Sequence, residues 1–308
     1  MSPGGRIAGI ATGAVLLCAL VPAGATAGPP PTHGALGLTY TATTTNWPVF
    51  PSRNEQQTYQ PCGASTNLVG MGAWVIESAP PSPDRSAFAL GKGFNVSIAP
   101  EDQVSPSPAP DSTRQVAENL FTFDNDLTMG ESTTCATNAG PVAYVSSKRR
   151  ASKRSRTALR ASCKGSKNVV SGGAVAGGPF RSQRLVAGVP FDSKDPGSKP
   201  DDGWRVVVDN LSAKRRAVQA YAICATAPGA RYVAKGFKSK RRSRHHTELS
   251  CPPGEYIVGG GVAHAAPYRK ATLVASRFKF GDNDTWIVEV DNLSRKRAAG
   301  RAFAICHA

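Results

Sequence analysis

The chain has 308 residues and a formal net charge of +16, from 37 Lys and Arg against 21 Asp and Glu. After the first 27 residues no apolar run of about 20 residues occurs, which excludes a transmembrane segment from the predicted elements. The excess of positive charge favours an anionic partner.

The first 27 residues have the parts of a secretory signal peptide. Arg6 gives a basic start, residues 7–20 are apolar, and Ala25-Thr26-Ala27 is a small-residue cleavage site. A transmembrane anchor is the alternative, but the apolar run is short and is interrupted by Gly and Thr. We therefore predict a secreted, extracellular protein in which residues 28–37 form a linker.

The rest of the chain contains one motif three times. Unit 1, residues 38–136, is a divergent copy with a Pro- and Ser-rich insertion, unit 2 spans residues 137–225, and unit 3 spans residues 226–308. Units 2 and 3 share Trp-x-Val-x-Val-Asp-Asn-Leu-Ser and Ala-Tyr/Phe-Ala-Ile-Cys. A fixed period indicates duplicated structural units. A residue present in every copy is therefore expected to hold the fold rather than to perform chemistry.

Each unit is predicted to consist of β-strands. The runs 204–208 and 286–290 combine aromatic and β-branched residues and end in Asp-Asn, which closes a strand in a tight turn. The Gly clusters at 172–173 and 259–261 lie inside strands, where Gly marks a bulge or a close backbone approach. No convincing helical periodicity appears. The predicted fold class is all-β, with three tandem antiparallel β-sandwich or β-prism-like units.

Six cysteines remain after the signal peptide, two in each unit. An even number in an exported chain indicates disulfides. Pairing inside each unit gives Cys62–Cys135, Cys163–Cys224 and Cys251–Cys306, each stabilising the fold by about 4 kcal/mol in the chain-entropy model. The alternative joins neighbouring units through Cys135–Cys163 and Cys224–Cys251. The repeat favours pairing inside each unit.

The third unit resembles a repeat of secreted actinobacterial proteins, Cys-Pro-x-Gly-x-x-Val-x-Gly-Gly-Gly followed by Trp-x-Val and Ala-Tyr-Ala-Ile-Cys. Residues 251–262, 286–288 and 304–306 carry the pattern. The resemblance covers most of residues 160–308 and residues 60–136 only loosely, and Cys163 lacks the following Pro. It implies export and a β-fold but no activity. A three-unit β-prism, similar to that of egg vitelline outer-layer proteins, is one arrangement it suggests by analogy.

The positive charge is concentrated in units 2 and 3. Residues 38–136 have 4 Lys and Arg against 10 Asp and Glu, a net charge of −6, whereas residues 137–308 have 32 against 11, a net charge of +21. Matched basic clusters follow the lead-in strand and the Asn-Leu-Ser segment of both units. The predicted binding residues are Lys148, Arg149, Arg150, Lys153, Arg154, Arg156, Lys214, Arg215, Arg216, Lys238, Lys240, Arg241, Arg242, Arg244, Arg295, Lys296 and Arg297.

Strand direction predicts where these clusters lie. If the lead-in strand and the Trp strand both run away from the cysteines, both clusters lie at one end of a unit and the disulfide lies at the other. A convergent set of Lys and Arg binds polyanions, and salt weakens that binding.

We therefore expect a non-catalytic protein that binds an anionic extracellular polymer or cell-surface glycan, such as an acidic glycan, teichoic acid, lipid headgroups or DNA. One alternative is a structural or surface-exposed protein whose basic loops maintain solubility. Another is a neutral-carbohydrate-binding module that stacks aromatic side chains on sugars. The oligomeric state is left open.

Enzymatic, metal and cofactor sites have less support in the sequence. No Cys-x-x-Cys or His-x-x-x-His spacing predicts zinc, and no cofactor is predicted. The adjacent His245 and His246 lie in a basic segment that repels cations, and His264 occurs in unit 3 alone. The pair Glu101-Asp102 in the insertion is the one carboxylate pair retained as a catalytic candidate. Catalysis is not expected.

Residues that recur between units are assigned to the fold. The aspartates Asp124, Asp209 and Asp291 are expected in turns. Trp204 and Trp286 are expected in the core rather than on a sugar-binding face. The Gly clusters lack the Lys-Ser/Thr of a phosphate-binding loop, so they too are assigned to structure.

Overall fold

The computed structural model describes residues 32–47, 56–62, 66–77, 97–101, 112–117, 127–176, 182–193, 199–227 and 229–308. These residues form eighteen strands and no helix, which confirms the all-β class. Accordingly, within the described segments no helix has the length and apolar character needed to cross a membrane. The predicted signal peptide, the carboxylate Asp102 and Asp124 lie outside the described residues.

Each predicted unit contains six strands. Unit 1 contains β1 (Leu38–Trp47), β2 (Gln56–Pro61), β3 (Asn67–Glu77), β4 (Ser97–Glu101), β5 (Ser112–Ala117) and β6 (Leu127–Ala136). Unit 2 contains β7 (Ala143–Ala151), β8 (Ser155–Ser162), β9 (Asn168–Ala176), β10 (Gln183–Phe191), β11 (Gly203–Asn210) and β12 (Arg216–Ala225). Unit 3 contains β13 (Arg231–Ser239), β14 (Ser243–Ser250), β15 (Tyr256–His264), β16 (Ala271–Lys279), β17 (Asp282–Asn292) and β18 (Ala298–His307).

The strands form three antiparallel sheets, and every sheet joins strands of two units. The first sheet has the order β1-β6-β3-β16-β17-β14, the second β2-β5-β4-β9-β12-β7, and the third β13-β18-β15-β10-β11-β8. In each unit the first, sixth and third strands enter one sheet, and the second, fifth and fourth enter another. Residues 32–308 form one compact unit that contains all three sheets.

The Gly-rich strands β3, β9 and β15 meet at the centre, where all three units contact one another. Each strand has a bulge at the same repeat position, at Val69, Val170 and Val258, which are all buried. A Cβ at Gly70 would collide with the carbonyl oxygen of Val258. The expected roles of these glycines, bulge and close backbone approach, are therefore both present.

One Tyr from each lead-in strand connects its unit to the bulge of the unit before it, and the Tyr of unit 1 reaches unit 3. The hydroxyl of Tyr40 donates to the Ile257 carbonyl at 2.6 Å, that of Tyr144 to the Leu68 carbonyl at 2.9 Å, and that of Tyr232 to the Val169 carbonyl at 2.8 Å. Burial raises the pKa of Tyr40 and Tyr232, so both hydroxyls remain donors. The repeated tyrosine therefore joins the units into one body.

The predicted disulfides Cys62–Cys135, Cys163–Cys224 and Cys251–Cys306 are all present, each with a Cα–Cα distance of 5.7 Å. Each follows the second strand and closes on the sixth strand of the same unit. Pairing inside each unit is therefore confirmed. The predicted linker is described from residue 32, and there it is docked: Leu36 is buried, and Ala35 N donates to the Ala308 carbonyl at 2.9 Å.

Candidate polyanion-binding surface

In unit 2 the β7–β8 turn and the β11–β12 turn lie side by side. Arg154 N donates to the Ser212 carbonyl at 3.0 Å. The buried Asn210 side chain donates to the carbonyls of Ser152 at 2.8 Å and Lys214 at 2.9 Å, and its oxygen accepts from Ser212 N at 3.1 Å. Asn210 of the Asn-Leu-Ser segment thus fixes both basic turns relative to each other.

Unit 3 repeats this geometry bond for bond. Arg242 N donates to the Ser294 carbonyl at 3.0 Å. The buried Asn292 side chain donates to the carbonyls of Lys240 at 2.9 Å and Lys296 at 3.0 Å. In both units the two basic turns meet at one end, as strand direction predicts, while the disulfide is at the other end.

The third residue of each β-hairpin turn has an unusual backbone conformation. Arg154 has a φ of 47° and Arg242 a φ of 46°, in the left-handed region where Gly or Asn is the usual choice. An Arg there costs of order 1 kcal/mol, and both units keep it. Selection for a positive side chain at this position is a reason for accepting such a cost.

Arg156 and Arg244, which are also predicted binding residues, each pair with an aspartate of their own unit. Arg156 Nε lies 2.7 Å from Asp209 Oδ1 and Nη2 lies 3.0 Å from Oδ2, while Arg244 Nε lies 2.9 Å from Asp291 Oδ1. Both carboxylates are 0% exposed. Asp209 and Asp291 are thus buried at the ends of strands rather than placed in turns, and each needs its Arg because an unpaired buried charge is costly.

Four further predicted residues lie in strands rather than in loops. Lys148, Arg149 and Arg150 are exposed along β7, at the edge of the second sheet, and Lys238 is exposed on β13, at the edge of the third. Charged side chains on an edge strand discourage pairing with another chain. These four side chains therefore lie on edge strands and not within the turns.

The turn pairs of units 2 and 3 lie at the same end of the third sheet. The strand β15 runs away from the disulfide of unit 3, and β10 runs toward that of unit 2. The two strands pair antiparallel through Gly188 and Val262. The disulfide ends of units 2 and 3 therefore lie at one end of the sheet, and their basic turns lie at the other. Strand direction predicts convergence within a unit but not this alignment of two units.

The β15–β16 loop, residues 265–270, adds two exposed basic residues between the turn pairs. Arg269 N donates to Asp209 Oδ2 at 2.8 Å, and Lys270 accepts from Leu293 N at 2.9 Å through its carbonyl. The prediction missed Arg269 and Lys270 because it selected runs of three or more clustered cations. Arg269 recurs as Arg181 of unit 2, whereas Lys270 is replaced there by Ser182.

We call the exposed cations of these five turns the basic strip. None of the five turns contains Asp or Glu. The strip consists of Lys153, Arg154, Lys214, Arg215, Lys240, Arg241, Arg242, Arg269, Lys270, Arg295, Lys296 and Arg297. Arg216, also predicted, is half-buried at the start of β12, where its Nε donates to Ser212 Oγ at 3.2 Å.

A buried Ser–His pair lies beneath the strip. Ser239 Oγ is 2.9 Å from His264 Nε2 and donates to the Ala298 carbonyl, while His264 Nδ1 accepts from Ala266 N at 3.3 Å. Because Nδ1 is an acceptor, Nε2 carries the proton and donates to Ser239. The imidazole is therefore not arranged to take the proton of a nucleophilic serine.

The remaining polar and aromatic candidates are also engaged. His246 contacts Glu289 at 2.9 Å and Glu248 at 3.3 Å, and His245 stacks on Phe237 with centroids 4.2 Å apart. Among the described residues there is no group of three or more His, Cys, Asp or Glu placed to hold a metal ion. Trp204 and Trp286 are 2% and 1% exposed, as expected of core residues.

Fold and surface together define an all-β protein with one disulfide per unit and a concentrated basic end. No protein-family model matches the chain, and no curated protein matches it either.

Proposed function

We propose that this is a secreted, non-catalytic protein that binds anionic extracellular polymers through the basic strip. The observation that carries the proposal is the repeated turn pair: buried Asn210 and Asn292 fix the same geometry in two units, and both present only cations. Buried Asp209 and Asp291 are already paired with Arg156 and Arg244. The strip is therefore not neutralised by carboxylates of its own turns.

Secretion is part of the proposal. The predicted signal peptide and the three disulfides support it, because disulfides form and persist in oxidising compartments.

The solubility alternative is favoured for the edge-strand cations. Lys148, Arg149, Arg150 and Lys238 are exposed along the edges of two sheets. We propose that these four prevent edge-to-edge association and are not part of the binding surface. The buried tryptophans give the neutral-carbohydrate alternative no support.

A salt series with two charge-matched variants tests the function. One variant changes Lys153, Lys214 and Arg215 of the unit 2 turn pair to Gln, and its control changes Lys164, Lys167 and Lys199 near the disulfide end to Gln. We expect the first to weaken binding to acidic polymers and to lower the log–log salt slope by about 2 to 3, since each lost phosphate contact removes about 0.7 to 0.9. The control is expected to keep the wild-type slope.

Two results would contradict the proposal. Equal losses in both variants would show a general charge effect with no defined surface. Binding to neutral glycans that persists at high salt would point instead to aromatic stacking.

A further inference from the structure

The basic strip crosses the boundary between units 2 and 3 without a gap. The Arg269 side chain donates through Nη2 to the Leu211 carbonyl of the unit 2 turn at 3.3 Å. The next residue, Lys270, accepts from Leu293 N of the unit 3 turn at 2.9 Å. The β15–β16 loop is thus hydrogen-bonded to both Asn-Leu-Ser turns, and its two cations occupy the space between the turn pairs.

The strip has a definite length. It follows the end of the third sheet from β13 to β8, which are separated by five strand intervals in the order of that sheet. At about 4.8 Å per interval this is about 24 Å. Twelve exposed Lys and Arg over that length require a ligand whose negative charges are only a few ångströms apart. A nucleic acid strand in a duplex has one phosphate per about 3.4 Å, so about seven phosphates match the strip.

The described cations of the basic strip belong to units 2 and 3 and lie along the end of one sheet. At the matching places in the unit 1 sequence, residues 48–55 and 118–126 contain Glu55, Glu118, Asp124 and Asp126 with a single Arg53. A flat anionic membrane would favour basic residues in all three units, whereas a linear chain needs only cations in a row along the end of one sheet, which is how the described cations lie. The distribution of charge therefore favours a linear ligand over a lipid surface.

We infer that the ligand is a linear phosphodiester polymer that lies along the basic strip and contacts both turn pairs at once. This inference rests on the proposed function and narrows it to one class of polymer. The Arg side chains are suited to bidentate contacts with phosphate oxygens, and the Lys side chains act as point charges. Teichoic acid chains and single-stranded nucleic acids share this chemistry.

Chain length and stoichiometry test the inference. The mature protein is titrated by calorimetry with oligothymidylates of about four and about sixteen nucleotides and with poly(glycerol phosphate) of matching phosphate number. We expect each protein to bind two short chains but only one long chain. The long chain should bind at least about tenfold more tightly, because its second contact is intramolecular. A preference between the two long polymers identifies which source of phosphodiester the strip favours.

Three outcomes separate the inference from the function on which it rests. Two long chains per protein, bound no more tightly than short ones, would mean that the turn pairs act independently. Tighter binding to anionic phospholipid vesicles than to either polymer would mean that the partner is a membrane surface. Absence of binding to any polyanion at low salt would overturn the proposed function itself.

A single substitution tests the bridge between the turn pairs. Lys270→Gln removes an exposed cation from the bridging loop, and Lys164→Gln removes one from the disulfide end as a matched control. We expect Lys270→Gln to weaken binding of the long chain about threefold or more and to lower its salt slope by about 1. Short chains should lose less affinity for the Lys270→Gln variant than the long chain does. Equal effects of Lys270→Gln on long and short chains, or none on either, would overturn the continuous strip.

Discussion

The two ends of units 2 and 3 are built from equally repetitive sequence but differ in charge. At the disulfide end, acidic and basic residues mix: Asp202 and Asp284 accept from Cys163 N and Cys251 N through their carbonyls, and Glu255 pairs with Arg231 at 3.0 Å. At the turn end, the described carboxylates Asp209 and Asp291 are buried and paired, and the exposed turns are basic. Repetition alone therefore does not distinguish structural residues from functional ones. Each turn pair has a buried, repeated Asn beneath exposed, repeated cations.

Removing one disulfide is expected to cause the largest loss of stability and to leave binding at the turn end unchanged. Replacing Cys163 and Cys224 by Ala frees a loop with a sequence separation of 61. In the chain-entropy model this lowers the free energy of unfolding by about 4 kcal/mol. Urea unfolding measures the loss. At urea concentrations below the unfolding transition of the variant, the salt slope of polyanion binding should equal that of the wild type. A changed slope would show that the two ends are coupled.

Acidification is expected to lower the free energy of unfolding through His264, which lies near the turn end. Burial, with smaller contributions from His245 and Arg156, lowers the pKa of His264 from 6.5 to about 4. Between these pH values the unfolded chain binds a proton at His264 that the folded protein does not bind. The contribution of neutral His264 to the free energy of unfolding is therefore fully present above about pH 6.5 and is lost as the pH falls toward 4. The shift corresponds to a loss on the order of 3 kcal/mol.

A His264→Gln variant isolates this contribution. Its unfolding free energy at neutral pH is expected to be lower, because Gln cannot make both hydrogen bonds of the imidazole in the same geometry. The test is the pH slope: the variant should lose the part of the slope that wild type shows between about pH 6.5 and 4. Identical slopes would assign the acid sensitivity to other groups.

Breaking the buried ion pair at the turn end is expected to have an intermediate effect. Asp209→Asn leaves Arg156 without its carboxylate, and because the Arg156 side chain is 29% exposed, we expect a loss of about 2 kcal/mol rather than the larger values of fully buried pairs. Thermal or urea unfolding measures it. Since the β15–β16 loop also binds Asp209, the variant should lose more affinity for long polyanions than for short ones. A stable variant with unchanged binding would contradict this role of Asp209.

The smallest expected effect concerns Trp204 and Trp286, which occupy the same position in units 2 and 3, midway between the two ends. The Trp286 indole donates to Ser276 Oγ at 3.1 Å, whereas the buried Trp204 indole nitrogen has no hydrogen-bond partner among the described residues. Gly188 occupies in β10 the position that Ser276 has in β16. We expect Gly188→Ser to raise the free energy of unfolding by about 1 kcal/mol by supplying the missing acceptor. A Cβ there lies 3.3 Å from the Trp204 nitrogen, so a decrease would show that the site has no room for the side chain.

Much of the local structure was predictable because its causes lie within one unit. The disulfides, the strand ends at Asp-Asn and the convergence of two basic turns all follow from the repeat and from strand direction. The pairing of β10 with β15 has no such local signal, so the sharing of sheets between units was not predicted. The ion pairs of Arg156 and Arg244 were not predicted, because each depends on which strand residue faces the Asp of the same unit.

The sharing of sheets makes the three units a closed cycle. Each unit completes one sheet with the unit before it and another with the unit after it, and unit 3 returns to unit 1 through β16 and β3. A chain with one unit would therefore leave two half-sheets with open edges, and three copies of such a chain would be needed to cover them. In evolutionary terms, the present chain has the connectivity of a homotrimer whose subunits were fused, after which the copies were free to acquire different charges.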